Sequence, residues 1–377
     1  MKFIADKAIP YVKEAFSSLG EVHLLSAKEI TSATLQDATG LLVRTATKIT
    51  PSLLNRSTVK FIGTATIGTD HIDLPYIADR HIQFSSAPGC NAVAVAEYIL
   101  TALFCLEQKT GVSVRNRTLG IIGAGNTGSA LKMKAEAIGV KCLLNDPPLA
   151  EKSSDSQFSH LDEIARKADI ISIHVPLTHS GKYPTFHLID EPILHQLKPG
   201  TIIINTSRGE TVDSQALKSN RERLGPIILD VWENEPHIDP ELLHKVDIAT
   251  PHIAGYSLEG KIRATKMIYR AACDFFGMKP TWNSEDVLAT DAIPDLTLQS
   301  NGQILEQAIL QAYNIFEDDH RLRSYPDQDN PGEYFTDLRN NYQYRREFSS
   351  FRLNVGQDFS RQDWQLLEKI GFKISNI

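Results

Sequence analysis

Three short segments carry side chains suited to acid–base chemistry on a small anion. They are N-T-S-R-G at 205–209, D-V-W-E-N-E-P at 230–236 and T-P-H-I-A-G at 250–255, which supply Arg208, Glu235 and His252. Histidine titrates near neutrality, so His252 can take a hydroxyl proton in one direction and return it in the other. Glu235 would orient the ring and stabilise its imidazolium. Arg208 can grip a carboxylate in a two-point fork and so fix the neighbouring carbon. Singly, each has an ordinary structural role: a surface or core histidine after proline, a cation at a helix entry, a Glu-Pro that ends a segment. Their joint placement carries the weight. Each follows a strand-like apolar run, at 202–205, 227–229 and 247–249, and open α/β sheets bind ligands at the carboxyl ends of their strands.

The hydride acceptor is foreshadowed upstream. Leu119, Ile121 and Ile122 form a short buried strand, Gly123, Ala124 and Gly125 a tight turn, and residues 126–138 a helix with Leu131, Ala135 and Ile138 on one face. In this G-x-G-x-x-G pattern Gly123 permits the turn, Gly125 admits a pyrophosphate and Gly128 lets helix pack on strand, while the helix start presents N–H donors and a positive dipole end. Asp146, 18 residues after Gly128, ends the next apolar run, where a carboxylate can hold both ribose hydroxyls. It would repel a 2′-phosphate, and Pro147 and Pro148 follow it rather than an arginine, so the expected cofactor is NAD. Clamp and strand-end residues together imply oxidation of a 2-hydroxy acid.

Length and composition bound what surrounds these residues. A chain of 377 residues with 42% hydrophobic and 23% charged residues is expected to form two or three globular domains. A net charge of -7 offers no footprint for nucleic acid or anionic lipid, so neither partner is expected and an anionic substrate must be met by local cations. The four cysteines, Cys90, Cys105, Cys142 and Cys273, are widely spaced and read as reduced thiols; no metal site is expected. The amino terminus is unlike a signal peptide, and the apolar stretch 92–106 is interrupted by Glu97 and too short to span a bilayer, so a cytoplasmic location is expected.

The first ninety residues alternate strands with helical segments, and Ala87, Pro88 and Gly89 punctuate them before Asn91, an expected cap for a helix over 91–107. From Thr118 onward βα units continue as a parallel sheet, followed by a second long helix over 258–276. Two such helices linking two α/β units predict a hinge and a cleft. Residues 279–301 read as a linker. Beyond it, a helix over 304–316, a strand over 351–355, a helix opened by Ser360 and Asp363 and closed by Gly371, and a last short strand predict a small core that association with a second chain would complete. The expected fold is therefore α/β, with two Rossmann/flavodoxin-like doubly wound parallel-sheet domains, 1–92 with 258–280 as a substrate-binding lid and 93–257 as the NAD domain, plus a small α+β dimerisation domain over 281–377.

With these motifs the chain resembles the D-isomer-specific 2-hydroxyacid dehydrogenase family over about residues 40–276. The likeness also includes G-T-D-H-I-D at 68–73, A-P-G at 87–89, H-V-P-L-T at 174–178 and K-P-G at 198–200. It implies Arg208 and Glu235 as active-site residues, His252 as acid/base and Asp146 on the ribose. Gly123, Gly125, Asn126, Thr127 and Gly128 would hold the phosphates, and Val175, Thr206, Asp230 and Gly255 would line the cofactor. Thr127 departs from the bulky aliphatic residue usual in the family, which touches helix packing and leaves the phosphate contacts intact.

A-P-G-C-N-A-V-A-V-A-E-Y at 87–98, H-I-A-G-Y-S-L-E-G-K at 252–261 and the extra tail resemble those family members that oxidise a phosphorylated four-carbon acid in vitamin B6 synthesis and pair as homodimers through that tail. Strand ends of the first domain supply matching chemistry: Arg44, Thr45 and Tyr256 can hold a phosphate, and the loop of Thr66, Ile67 and Gly68 offers N–H groups to a carboxylate. Arg44 reads equally as a solvated strand-end charge. Arg345 and Arg346 read as a solvated pair, or as cations reaching a partner chain's site. The alternatives are another D-2-hydroxy acid such as 3-phosphoglycerate, and a protein that binds partners according to NAD(H), as corepressors of this fold do.

Overall fold

The strands are short, rich in Ile, Leu and Val and mostly buried on both faces, a pattern that demands helices on both sides of each sheet. In the computed structural model, which describes residues 1–111, 113–153, 157–290, 294–299, 303–355 and 359–374, the chain forms two compact units.

The first unit comprises residues 1–91 and 257–292. Its strands are β1 (Lys2–Asp6), β2 (Glu21–Leu25), β3 (Gly40–Val43), β4 (Phe61–Thr64) and β5 (Gln83–Ser85), all parallel in the order β2-β1-β3-β4-β5. Alternation sorts the side chains. Phe3 and Ala5 face a core with Ala264, Ile268, Tyr269 and Ala272 of the helix Leu258–Phe276, while Ile4 faces the opposite core with Leu35, Leu41 and Ile62. That helix starts on a Ser257 cap to Gly260 N–H and ends at Gly277 in the left-handed region.

The second unit comprises residues 92–256 and 293–377. Strands β6 (Thr118–Ile122), β7 (Lys141–Asn145), β8 (Ile170–Ile173), β9 (Ile202–Asn205), β10 (Ile227–Leu229) and β11 (Ile248–Ala249) form a parallel sheet in the order β11-β10-β9-β8-β6-β7. In each unit the strand order reverses beside the first strand, between β1 and β3 and between β6 and β8. Such a switch point opens a crevice at the strand carboxyl ends.

The helix Ala92–Thr110 packs on the clamp helix Asn126–Ala137. Asn91, expected to cap it, makes no such bond; its Oδ1 is buried without a partner among the described residues. Glu97, which interrupts the apolar stretch, is buried against Lys134 of the clamp helix at 3.0 Å and accepts the Phe348 N–H.

The tail differs from its expectation in two places. The expected linker 279–301 contains a helix, Ser284–Thr290, and a strand, β12 (Asp295–Leu298); its residues 291–293 and 300–301 lie outside the described residues. β12 pairs in parallel with β13 (Arg352–Val355). The single helix expected over 304–316 is two, Ile304–Ala312 and Ile315–Arg323, because Tyr313 turns extended and its hydroxyl donates to Asp318 of the second helix. Phe316, just inside the second helix, is 37% exposed.

The tail packs on both faces of its own unit's sheet: Leu305, Ile309, Phe348 and Ile370 join one core, Leu322 and Phe335 the other. It also covers the sheet edge, where Asp319 accepts the Ala249 N–H of β11 at 2.7 Å.

Candidate active site

The loops after β9, β10 and β11 interlock. Arg208 leaves β9 with its Nη1 on the Ser207 carbonyl at 2.8 Å, and Gly209 then runs against the backbone of Trp232 and Glu233. A Cβ at Gly209 would lie 1.9 Å from the Trp232 carbonyl carbon, so only glycine lets the arginine loop close on the glutamate loop. Trp232 in turn donates its indole N–H to the Thr250 carbonyl at 3.0 Å, tying the glutamate loop to the histidine loop.

At the centre, His252 Nδ1 lies 2.8 Å from Glu235 Oε2, and the other Glu235 oxygen accepts the Trp232 N–H at 3.0 Å. An ionised carboxylate only accepts, so in the neutral imidazole the proton sits on Nδ1 and Nε2 carries the lone pair. Burial pushes the Glu235 carboxyl up, but the His252 charge and hydrogen bond, Arg339 and the Trp232 N–H outweigh it and hold it below the usual carboxylate range. His252 has φ 58°, a left-handed conformation uncommon outside glycine and frequent at functional sites.

Asp230 holds that conformation from beneath. It is 1% exposed and accepts from Thr250 Oγ1 at 2.6 Å, Ile253 N–H at 2.7 Å and Ala254 N–H at 2.9 Å. Burial pushes its carboxyl up, partly offset by His252 and these donors. Asp230, expected to line the cofactor, also organises the loop that presents His252 and Gly255.

Arg345 is neither a solvated charge nor a group extended toward a partner chain. Its guanidinium donates to the carbonyls of Ala94, Ile253 and Ala254 and lies 4.7 Å from the centroid of the Tyr313 ring. It therefore binds the backbone just beyond His252 of its own chain. Paired cations in sequence gave no hint of this, because the acceptors are main-chain carbonyls 91 to 251 residues away.

The clamp has the geometry a dinucleotide requires. Gly123 has φ 94°, and a Cβ at Gly128 would lie 2.1 Å from the Gly123 oxygen, so the helix meets the turn in direct backbone contact. The helix start at Asn126 has no side-chain cap, and the space beside Gly125 is open. Asp146 accepts the Ala124 N–H at 2.9 Å and the Leu149 N–H at 3.0 Å, so the same carboxylate braces the turn. Val175 follows β8 with its Cγ1 beside Gly123, and Thr206 Oγ1 is buried without a partner among the described residues. An orphaned hydroxyl, uncapped helix N–H groups and an open glycine face fit NAD; Thr127 lies half-buried in the first helical turn.

In the first unit, Arg44 follows β3 at the switch point and its Nε donates to Asp6, the last residue of β1, at 3.0 Å. Asp6, absent from the sequence reading, is 1% exposed; an acid ending the first strand was its only signal. Thr45 and Ile67 are exposed, and the Thr66 hydroxyl donates to the Gly68 carbonyl at 3.0 Å, shaping that loop.

Comparison with known proteins decides the class. Residues 103–254 match the profile described as "D-isomer specific 2-hydroxyacid dehydrogenase, NAD binding domain", and residues 287–371 match a domain of unknown function. The erythronate-4-phosphate dehydrogenase of Cronobacter sakazakii is 42% identical over 100% of this chain and 99% of its own, and that of Escherichia coli is 43% identical over 99% and 98%. The chain belongs to the D-isomer-specific 2-hydroxyacid dehydrogenases.

Solved members of this dehydrogenase family share the fold. NAD+-bound 3-phosphoglycerate dehydrogenase of Entamoeba histolytica matches with TM-score 0.63 at 29% identity, covering 75% of this chain and 98% of its own. D-lactate dehydrogenase of Aquifex aeolicus, complexed with NAD and lactic acid, gives 0.60 at 27%, covering 74% and 96%. As a member of the family the chain is an NAD-dependent oxidoreductase. Its cysteines form no disulfide among the described residues, and burial pushes the Cys105 and Cys142 thiols up to about 12, so those two are poor nucleophiles. Among the described residues no helix is long and apolar enough to cross a membrane, and no group of His, Cys, Asp and Glu could hold a metal.

Proposed function

We propose that this dehydrogenase oxidises 4-phospho-D-erythronate at C2 to (R)-3-hydroxy-2-oxo-4-phosphobutanoate, in the route to pyridoxal 5′-phosphate. The observation that carries the chemistry is the 2.8 Å Glu235–His252 pair on a loop interlocked with that of Arg208. The substrate assignment is supported by end-to-end likeness to erythronate-4-phosphate dehydrogenases.

His252 Nε2 takes the C2 hydroxyl proton while the C2–H bond breaks, and Glu235 stabilises the imidazolium that results. Arg208 fixes the C1 carboxylate and polarises the developing carbonyl. NAD, held by Gly123, Gly125, Asn126, Thr127, Gly128, Asp146, Val175, Thr206, Asp230 and Gly255, supplies the hydride acceptor. One hydride and one proton leave, so the alcohol becomes a ketone and the balance closes.

Arg44, Thr45 and Tyr256 are proposed to bind the phosphate, and Thr66, Ile67 and Gly68 the carboxylate. Arg44 is well suited because Asp6 pins its Nε and so pre-orients the guanidinium. We propose the division of the chain into 1–92 with 258–280, 93–257 and 281–377 as lid, cofactor and dimerisation domains, with the protein a cytoplasmic homodimer. NADH fluorescence with a panel of 2-hydroxy acids tests the substrate. 4-Phosphoerythronate should exceed D-erythronate, which leaves the phosphate site unpaired, and 3-phosphoglycerate, which is one carbon shorter, in kcat/KM by roughly two orders of magnitude. Equal rates with unphosphorylated acids would remove the phosphate assignment.

A further inference from the structure

The C-terminal segment reaches the catalytic glutamate of its own chain. Its helix Pro331–Asn340 starts against the catalytic loop, since a Cβ at Gly332 would lie 2.4 Å from the His237 ring. The preceding turn adds the Tyr325 hydroxyl, which donates to the Pro236 carbonyl at 3.3 Å. At the far end of the helix, Arg339 Nη1 stands 3.6 Å from Glu235 Oε2, the oxygen that accepts from His252. Arg339 also bonds the Tyr256 side chain, and its Nε is buried without an acceptor among the described residues.

We propose that Arg339 is a positioning residue for the Glu235–His252 pair: its permanent charge keeps Glu235 ionised, so that His252 presents a bare Nε2 to the substrate. The inference rests on the reading that this pair removes the hydroxyl proton.

Glu235 depends on a second cation whenever His252 is neutral. Glu235 is 18% exposed at its side chain, and without a second cation its burial would favour the protonated acid. A protonated Glu235 would donate to Nδ1, move the ring proton to Nε2 and abolish the base. An arginine does not deprotonate in proteins, so the charge beside Oε2 persists through the cycle. The charged groups that act on the pair are Arg339, itself bonded to Tyr256, and Asp230, which is already engaged by Thr250, Ile253 and Ala254. Arg339 is thus the fixed cation in that set.

The test is the pH profile of kcat/KM for 4-phosphoerythronate, measured on full-length wild type, Arg339→Met, Arg339→Gln and Arg339→Lys, together with the dissociation constant for NADH. The substrate phosphate titrates identically in all four, so differences between profiles belong to the protein. Loss of the cation lets the pair hold its first proton more tightly. The acid limb should therefore move to higher pH by roughly one unit in Arg339→Met and Arg339→Gln, the low end for a neighbouring charge, with kcat/KM on that limb roughly tenfold lower. NADH affinity should stay within about twofold, and Arg339→Lys should return the limb toward wild type. An unmoved limb in a variant that still binds NADH, whatever happens to kcat, would overturn the proposal, as would a lysine variant whose limb matches that of methionine. If methionine costs the fold, glutamine is read by the same criteria. Failure of the underlying reading looks different: His252→Ala would then turn over like wild type.

Discussion

At the scale of single residues, the candidate catalytic side chains were legible because they sit at strand ends. Arg208, Glu235 and His252 each follow an apolar run, and the parallel sheet leaves little choice about where those ends converge. His252→Ala should lower kcat by at least roughly two orders of magnitude, the usual worth of a general base, while NADH fluorescence titration still reports binding; lost affinity would assign His252 a structural role. Asp146 has a double load, the expected ribose contact and the observed brace on Ala124. Asp146→Ala should weaken NAD roughly tenfold to hundredfold, the range for one or two hydrogen bonds to a charged group, and an unchanged NAD dissociation constant would leave it only a cap for the next helix. The residues that sequence hid, Asp6, Arg339 and Arg345, meet partners from 38 to 251 positions away, which no local pattern reports.

At the scale of elements, boundaries followed local chemistry and missed where side chains reached across. The apolar periodicity over 304–316 ran through Tyr313 unbroken, yet a tyrosine hydroxyl that finds Asp318 in the next turn ends the helix there. Glu97 looked like an interruption in an apolar helix and is instead its buried ion, pushed up to about 7 by burial against the opposing pull of Lys134. An unfolded glutamate titrates near ~4.3. The folded state thus holds the extra proton between these values, so the stability Glu97 contributes is fully present below ~4.3 and is lost as pH rises through about 7. The melting temperature of wild type, taken relative to Glu97→Gln, should fall across that window; a flat difference would mean that Glu97 is not raised. Gly209→Ala, with no room between the arginine and glutamate loops, should cost most of the activity, and wild-type kcat in that variant would show that the loops separate freely.

At the scale of the whole molecule, the twofold α/β architecture could be read from alternating runs, whereas the place of the tail could not. A small isolated core implied completion by a second chain, yet Leu305, Ile309, Phe335, Phe348 and Ile370 are buried within the chain itself. A homodimer through this segment therefore joins finished surfaces, and its protomers should remain folded on dissociation. Size-exclusion light scattering should find a dimer, and dilution should release monomers that keep their far-ultraviolet dichroism; a monomer at all concentrations would remove the dimer proposal. In the proposed reaction His252 takes a proton while C2 of 4-phosphoerythronate yields a hydride to NAD. Substrate deuterated at C2 tests it most directly, with mass spectrometry of the NADH formed. One deuterium per NADH, formed at least roughly a hundredfold more slowly by His252→Ala, is the predicted result; deuterium released to water, or NADH formed equally by the variant, would contradict it.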